Sequence, residues 1–391
     1  MRGMEIKVDE NRLLGFARDL VRTSSENPPG DERQVANLLE AKMREIGLKV
    51  DRYDFKPSRP NLIGTQDFGK GHSIIFDGHM DTVPAGNKDL WSVDPFSGMI
   101  IDGRLYGRGT ADMKCSIAAW LSALEAVLNA GIELRGKVLA CLVSDEEVSG
   151  LGTEDILSKG YFADMAVVGE PTGLTLQIAH KGVIRWRLTT LGRAGHISSP
   201  EEGINAIQKM AKVCHMLDRY SKHLKKRKHK LLGYPTISIG TIRGGEKDNI
   251  IPARCEVSID RRLMPREEPE KAETELIELL EAMKKPDKDF RHELERYVLL
   301  QASEIEPDEE VVSIFGRSIK KVTSRKARIE GFNATCEMVH LVKMGIPTVI
   351  FGAGSLSQAH KVDEYVNVEE IIAAAKIYAE FIVEALGRKL C

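Results

Sequence analysis

Short apolar runs that end abruptly in polar residues constrain the fold of this chain more than any other feature. Four of them are SIIF before DGHMD, GKVLACLV before SDEE, ADMAVV before GEP, and TVIF before GAGSLSQAH. Segments with a helical apolar period lie between them, for example over residues 115–130. Strands that alternate with helices predict an α/β fold with a doubly wound, mostly parallel sheet.

The stretch of residues 180–297 has a different pattern. GVIRWRLTTLG alternates apolar and polar residues, as expected of a sheet with one solvated face. Two helical segments, at about 203–224 and 268–283, and two more strand-like runs follow it. We therefore predict a smaller α+β domain, residues 180–297, inserted between two parts of a catalytic α/β domain, residues 1–179 and 298–391.

The overall composition excludes several classes of protein. Lys plus Arg is 56 and Asp plus Glu is 58, so the net charge of 56 − 58 = −2 favours neither nucleic acid nor an acidic membrane surface as partner. The basic run 225–230 lacks interleaved aromatic residues and is expected to be a solvated loop.

No apolar stretch approaches the ~18 residues of a membrane span, and the N-terminal segment lacks the apolar core of a signal peptide. The cysteines, from Cys115 to Cys391, form no C-x-x-C pair. We expect a cytoplasmic protein.

Residues of the types that bind metals follow the predicted strands or lie in a glycine-rich turn before a helix. They are His79, Asp81, Asp112, Glu146, Glu147, Glu170 and His360. Loops after the carboxyl ends of parallel strands share one edge of the sheet, where ligands bind. These side chains suit zinc, cobalt or manganese, and they exceed what one tetrahedral zinc needs. Two divalent ions about 3.5–4 Å apart, sharing a carboxylate, would use them all.

The neighbouring acids Glu146 and Glu147 need different roles. Adjacent side chains of an extended chain point to opposite sides, so one is expected to bind metal while the other acts as general base on the attacking water. Asp81 is expected to accept the second N–H of His79 and fix its tautomer. Singly, each group has an ordinary explanation: Asp112 suits a helix N-cap, and the acidic pair suits an exposed turn. The joint placement is what favours a metal site.

The chain resembles the M20-type metallopeptidases and deacylases, which include acetylornithine deacetylase and succinyl-diaminopimelate desuccinylase. The resemblance covers nearly the whole chain. It rests on GHMDTVP (78–84), GRGTADMK (107–114), SDEEVSG (144–150), GEPT (169–172), GRAGHISSP (192–200) and GAGSLSQAHKVDEYV (352–366), in the family order. Two segments depart from the family pattern: Cys115 replaces the usual glycine, and Cys336–Glu337 replaces an Asp-containing turn.

The resemblance implies a role for each candidate residue. His79 and Glu170 would bind one metal, Glu147 and His360 the other, with Asp112 bridging, Glu146 as general base and Asp81 supporting a ligand. The inserted domain would be a lid and dimerisation domain, whose His196 reaches the partner subunit's active site and stabilises the oxyanion. Asn249 and Arg262 match lid residues, and Arg262 is expected to bind the substrate's α-carboxylate, whereas a plain surface arginine is nearly as good an interpretation of its neighbour Arg261.

We expect a homodimeric, dinuclear metallohydrolase that removes the acyl group from an N-acyl amino acid. The SLSQAHKVDEY segment, Thr335 and Glu337 are most similar to acetylornithine deacetylases. One alternative is a dipeptidase or carboxypeptidase of the same family, acting on short peptides. Another is a metal-retaining binding protein without catalysis, against which the presence of Glu146 argues. The Cys336–Glu337 departure lies near the expected substrate pocket and leaves the acyl group and amino acid open.

Overall fold

The computed structural model describes residues 6–387. Cys391 therefore lies outside the described residues. So do the first five residues of the N-terminal segment, which lacks the apolar core of a signal peptide. In chain order the helices are α1 (Glu10–Arg22), α2 (Arg33–Glu45), α3 (Cys115–Asn129), α4 (Leu151–Ser158), α5 (Ala206–Leu224), α6 (Pro269–Met283), α7 (Glu310–Thr323), α8 (Met338–Lys343) and α9 (Val368–Leu386).

The strands are named in the same way. They are β1 (Lys49–Lys56), β2 (Arg59–Asp67), β3 (Ser73–His79), β4 (Ile100–Ile101), β5 (Arg104–Tyr106), β6 (Lys137–Val143), β7 (Met165–Val168), β8 (Leu176–His180), β9 (Gly182–Leu191), β10 (Thr236–Gly244), β11 (Arg254–Leu263), β12 (Arg291–Leu300), β13 (Ser303–Glu304), β14 (Ile329–Phe332), β15 (Thr348–Ile350) and β16 (Tyr365–Asn367).

The first compact unit comprises residues 6–178, 305–330 and 336–387. Its central sheet has the strand order β1-β2-β6-β3-β7-β15-β8. The inner strands β6, β3, β7 and β15 are parallel, whereas the outer pairs are antiparallel. A small antiparallel sheet, β16-β5-β4, lies beside it in the same unit. The predicted α/β class with a parallel sheet core is confirmed.

The inner strands are buried on both faces, which explains why they read as continuous apolar runs. Six of the seven residues of β3 are buried. Phe76 of β3 stacks on Trp120 of α3 with ring centroids 5.5 Å apart, and Tyr378 of α9 meets it edge-on at 5.7 Å. Such pairs stabilise the packing by about 0.5–1.5 kcal/mol each beyond the area they bury. A rigid sheet core therefore supports the ends of these strands.

The second compact unit comprises residues 179–304 and 331–335, whereas the sequence predicted an inserted domain over 180–297. It contains the antiparallel sheet β10-β11-β9-β12 and the helices α5 and α6, which is the α+β pattern expected of this segment. Trp186 of β9, Leu217 of α5 and Leu276 of α6 share its hydrophobic core. The helix predicted from residue 203 begins at Ala206, because the Asn205 side chain caps it by accepting a hydrogen bond from the N–H of Gln208.

None of the helices formed by residues 6–387 combines the length and the apolar character that crossing a lipid bilayer requires.

Candidate metal centre

The predicted ligand residues lie at strand ends and turns of the first unit. His79 is the last residue of β3, and Glu170 comes two residues after β7. Glu146 lies in the turn after β6, Asp112 in the irregular turn Thr110–Lys114 before α3, and His360 in the loop after β15. The carboxyl ends of the parallel strands share an edge, which is why residues so distant in sequence converge.

Asp112 lies between the two histidines. Its Oδ1 is 2.9 Å from Nε2 of His79, and its Oδ2 is 3.2 Å from Nε2 of His360. Burial raises the pKa of Asp112, but hydrogen bonds with His360 and His79 outweigh this and hold the pKa well below its usual value. Asp112 is therefore an anionic carboxylate that directs one oxygen to each imidazole, the arrangement that a ligand shared by two ions needs.

The main chain fixes the orientation of His79. Its Nδ1 donates a hydrogen bond to the main-chain oxygen of Asp81 at 2.9 Å, which leaves Nε2 as the atom for a metal. The sequence predicted that Asp81 would accept the second N–H of His79, and Asp81 does so with its main-chain oxygen rather than with its carboxylate. Its Oδ1 lies 3.8 Å from Nδ1, beyond hydrogen-bonding distance.

The carboxylate of Asp81 holds the turn that carries the acidic pair. It accepts hydrogen bonds from the main-chain N–H groups of Glu146 at 3.1 Å and Glu147 at 3.2 Å. The side-chain amide of Asn27 donates to it at 2.7 Å and to Asp145 at 3.0 Å. These donors occupy both oxygens of Asp81, which is the physical reason that neither of them bonds to His79.

Arg59 compensates the buried negative charge behind this turn. Its Nη2 lies 2.6 Å from Glu32 and 2.9 Å from Asp145. Lys56 adds a second contact to Asp145 at 2.7 Å. A buried carboxylate without a partner is costly, so this cation allows several acidic groups to stand close together behind the centre.

Glu146 and Glu147 join different groups of possible ligands. Ligand atoms of Glu147, His79 and Asp112 lie within 4.8 Å of one another, and Glu147 Oε1 is also 3.2 Å from Nε2 of His360. Glu146 instead belongs with Glu170 and a third acid, again within 4.8 Å. The two side chains therefore belong to different groups, each of which could hold a metal, and the backbone here is a turn rather than an extended strand.

That third acid is Glu337, to which sequence reasoning gave no role. It is 1% exposed, and neither of its carboxylate oxygens has a hydrogen-bond partner within the described part of the chain. Burial raises the pKa of Glu337 to about 7. The sequence signals were its place in the Cys336–Glu337 departure from the family pattern and its similarity to acetylornithine deacetylases, and neither indicated burial or metal binding.

Glu364 positions the turn that contains Asp112. Its Oε1 accepts hydrogen bonds from the main-chain N–H groups of Ala111 at 2.8 Å and Asp112 at 3.3 Å. Its other oxygen forms a buried ion pair with Arg108. The sequence gave no local signal for this role, because Glu364 lies more than 250 residues from its partners.

The other predicted site residues belong to the second unit. His196 is exposed, and its Nδ1 accepts hydrogen bonds from the hydroxyl and the main-chain N–H of Ser198 at 2.6 and 3.2 Å. We infer that Nε2 carries the proton and is free to donate. Asn249 is also exposed. It lies near His196, because its main-chain oxygen accepts a hydrogen bond from the main-chain N–H of Ile197 at 3.3 Å. Arg262 Nε donates to Asp260 at 2.7 Å.

The residues of the first unit fit divalent metal ions. Imidazole and carboxylate donors are the set that zinc, cobalt and manganese use, and the oxygens of Glu337 are buried without a donor among residues 6–387. An Asp112 carboxylate that faces an imidazole with each oxygen, with a further group of carboxylates beside it, is typical of metal-dependent hydrolases. That is the class of enzyme defined by this fold and this centre.

Comparison with known proteins gives the family. Residues 75–384 match the model of peptidase family M20/M25/M40. The acetylornithine deacetylase of Photorhabdus laumondii is 32% identical, with 89% of each chain covered. The N-formyl-4-amino-5-aminomethyl-2-methylpyrimidine deformylase of Bacillus subtilis is 27% identical, covering 99% of this chain and 98% of the relative.

Solved structures agree on the fold. The aminopeptidase PepT of Bacillus cereus has a TM-score of 0.80 at 23% identity, covering 98% of this chain and 100% of that one. The chain belongs to peptidase family M20. It is a hydrolase of that family, and the enzyme prediction is confirmed.

Proposed function

We propose that the enzyme hydrolyses the amide bond of an N-acyl amino acid and releases the free amine. Acyl removal is the reaction in the names of the deacetylase and the deformylase and of the succinyl-diaminopimelate desuccinylase of Rhodospirillum centenum, which is 30% identical over 93% of this chain and 95% of its own length. The observation that carries the proposal is Glu146, a carboxylate beside the candidate ligands that is not part of the His79–Asp112–Glu147 group.

The proposed centre holds two divalent ions. His79 and Glu170, whose Nε2 and Oε1 are 3.9 Å apart, would bind one ion, and Glu147 and His360 the other. Asp112 would bridge them. When bound, the ions would polarise the scissile carbonyl and make the attacking water more acidic. Zinc fits this donor set best, and cobalt and manganese fit it as well.

Glu146 does the proton transfers in this proposal. It takes a proton from the water that attacks the carbonyl carbon, and it returns that proton to the nitrogen of the leaving amine when the C–N bond breaks. Burial raises the pKa of Glu146 well above its usual value, which suits a carboxylate that takes up and gives back a proton near neutral pH. Asp81 keeps the Glu146 main chain in place during both steps.

The second unit would recognise the substrate. We propose that Arg262 and Asn249 bind the α-carboxylate and amide of the substrate, and that the Nε2–H of His196 stabilises the oxyanion formed in the attack. We further propose a homodimer joined through this unit, in which each His196 serves the partner's site. The cytoplasmic location expected from the sequence also stays a proposal.

The test is a rate comparison on the purified, metal-loaded enzyme. The substrates are N-acetylornithine, N-succinyl-diaminopimelate, the formyl-aminopyrimidine and a panel of dipeptides, with the Glu146→Gln variant as the control for contaminating activity. We expect kcat/KM for one acyl substrate to exceed every dipeptide value by at least about tenfold, or 1.4 kcal/mol of transition-state stabilisation.

The same panel identifies the alternatives. Faster turnover of dipeptides than of every acyl substrate would show that the enzyme is a dipeptidase or carboxypeptidase of the same family and not a deacylase. Metal binding without turnover of any substrate in the panel would favour a binding protein over an enzyme of this specificity.

A further inference from the structure

Glu337 is a buried carboxylate that the proposed reaction does not use. It lies immediately before α8, its residue is 1% exposed, and neither oxygen has a hydrogen-bond partner among the described residues. Another buried carboxylate of this unit, Asp77 of β3, is equally inaccessible but accepts hydrogen bonds from the hydroxyl of Thr153 at 3.1 and 3.2 Å. Asp77 thus has a hydrogen-bond donor, and Glu337 has none among the described residues.

The position of Glu337 indicates what it binds. One of its oxygens lies within 4.8 Å of ligand oxygens of Glu146 and Glu170. Two carboxylate oxygens bound to one divalent ion are separated by at most about 4–5 Å, because metal–oxygen distances are about 2.0–2.6 Å. Three converging carboxylates repel one another while they are ionised, and a bound cation relieves this repulsion, as protonation also does. The nearby imidazole of His79 is directed to Asp112 at 2.9 Å.

We propose that Glu337 is a further metal ligand, on the ion held by Glu170. The proposal rests on the metal centre proposed above and adds a carboxylate to it. Its consequence concerns which metal is preferred, because each added carboxylate oxygen makes a donor set more suitable for Mn²⁺ relative to ions that favour imidazole, such as Zn²⁺. The half of the centre with Glu170 and Glu337 is then the one with the greater preference for manganese.

The first test measures metal binding without using catalysis. Metal-free wild type and the Glu337→Gln variant are titrated with Mn²⁺ and with Zn²⁺ by calorimetry, and the bound metal is counted after dialysis. Replacement of residues that only support a ligand costs about 10–100-fold in metal affinity, so loss of a ligand should weaken one of the two sites at least that much. We expect a larger loss for Mn²⁺ than for Zn²⁺.

The Asp77→Asn variant is the matched control. It removes a carboxylate of the same burial from the same unit, but one that already has a protein donor in Thr153. If Glu337 binds the ion directly, Asp77→Asn should weaken metal binding much less than Glu337→Gln. Equal losses in the two variants would mean that buried charge acts at a distance, and the proposal would be overturned.

A second test uses only the wild type, so it does not depend on the folding of a variant. Crystals loaded with Mn²⁺ are examined by anomalous diffraction. An oxygen of Glu337 within about 2.0–2.4 Å of an ion is expected, and a separation beyond 3 Å from every ion overturns the proposal.

The outcomes separate this proposal from the proposed function. Two full sites of unchanged affinity in Glu337→Gln, with an increased KM for a substrate that carries a second amino group, would assign Glu337 to substrate binding and leave the dinuclear hydrolase intact. A wild type that binds no divalent metal would overturn both.

Discussion

The carboxylate of Asp81 accepts a hydrogen bond from the main-chain N–H of Glu146 across 3.1 Å. The same residue uses its main-chain oxygen to hold Nδ1 of His79. One buried residue therefore contacts both the imidazole that we propose as a metal ligand and the main chain of the proposed general base. This coupling means that the main-chain position of Glu146 relative to His79 depends on Asp81.

Replacing Asp81 by Asn should reduce kcat while metals stay bound. An amide NH₂ would oppose either the N–H of Glu146 or both the N–H of Glu147 and the amide of Asn27, so at least one buried donor would lose its acceptor. We expect kcat to fall by about 10–100-fold, with an unchanged metal content by elemental analysis, since the main-chain bond to His79 remains. Full activity in this variant would show that the turn needs no side-chain support.

Glu146→Gln tests the base directly. The amide keeps the size of the side chain but cannot take a proton, so we expect turnover to fall by at least about 10²–10⁴-fold. Two metal equivalents should remain in the variant. If instead the protein loses one equivalent of metal, Glu146 is a ligand and the roles given to Glu146 and Glu147 must be exchanged.

The inner strands and most of the centre could be predicted because a buried parallel strand is a continuous apolar run. SIIF in β3 and ADMAVV before Glu170 mark the strand ends, and strand ends of a parallel sheet meet at one edge. The edge strand β1 carries charges of both signs in KVDRYDFK, and seven of its eight residues are at least partly exposed. No apolar run marks such a strand, so the sequence did not predict it.

The supporting contacts could not be predicted, because they join segments far apart in the chain. Asn27 lies in the SENPPG segment, which reads only as a break between two helices, yet it reaches Asp81, 54 residues later. The burial of Glu337 is likewise set by tertiary packing and leaves no periodic pattern. The sequence also did not show that the main chain of Asp81, rather than its carboxylate, would bond to His79.

Asp112→Ala should weaken both metal sites. Its two oxygens face Nε2 of His79 at 2.9 Å and of His360 at 3.2 Å, so its removal takes a ligand from each ion. We expect metal analysis to show less than one equivalent in total under conditions that leave two in the wild type. His360→Ala is the comparison, since it should deplete one site. Two full sites in Asp112→Ala would exclude a bridge.

Metal affinity should increase with pH. Hydrogen bonds with Asp112 and with Glu147 raise the pKa of His360 to about 10 when no metal is bound. A histidine must be neutral to bind a metal, so binding displaces its proton at every pH below that value. The apparent association constant should therefore increase about tenfold per pH unit for each proton released. Calorimetry in two buffers of different ionisation enthalpy measures this release, and a value of zero would contradict the prediction.

The last prediction concerns assembly. His196 belongs to the second unit, whereas every proposed metal ligand belongs to the first, and its side chain is exposed, with an Nε2–H that we infer from the contacts of Nδ1. We expect a homodimer joined through that unit, with each His196 completing the site of the partner subunit. Glu146→Ala and His196→Ala homodimers should then both be inactive, for different reasons.

Mixing these two inactive variants tests the exchange of His196 between subunits. In a mixed dimer, the site on the His196→Ala chain has an intact Glu146 and receives the intact His196 of its partner. Random reassortment makes about half the dimers mixed, each with one working site of two, so activity should return to about a quarter of the wild-type value. A tagged subunit would show whether the subunits exchange. If they exchange and activity does not return, His196 acts within its own chain or not at all. An active monomer in sedimentation would overturn the prediction directly, because a monomer has no partner from which to receive His196.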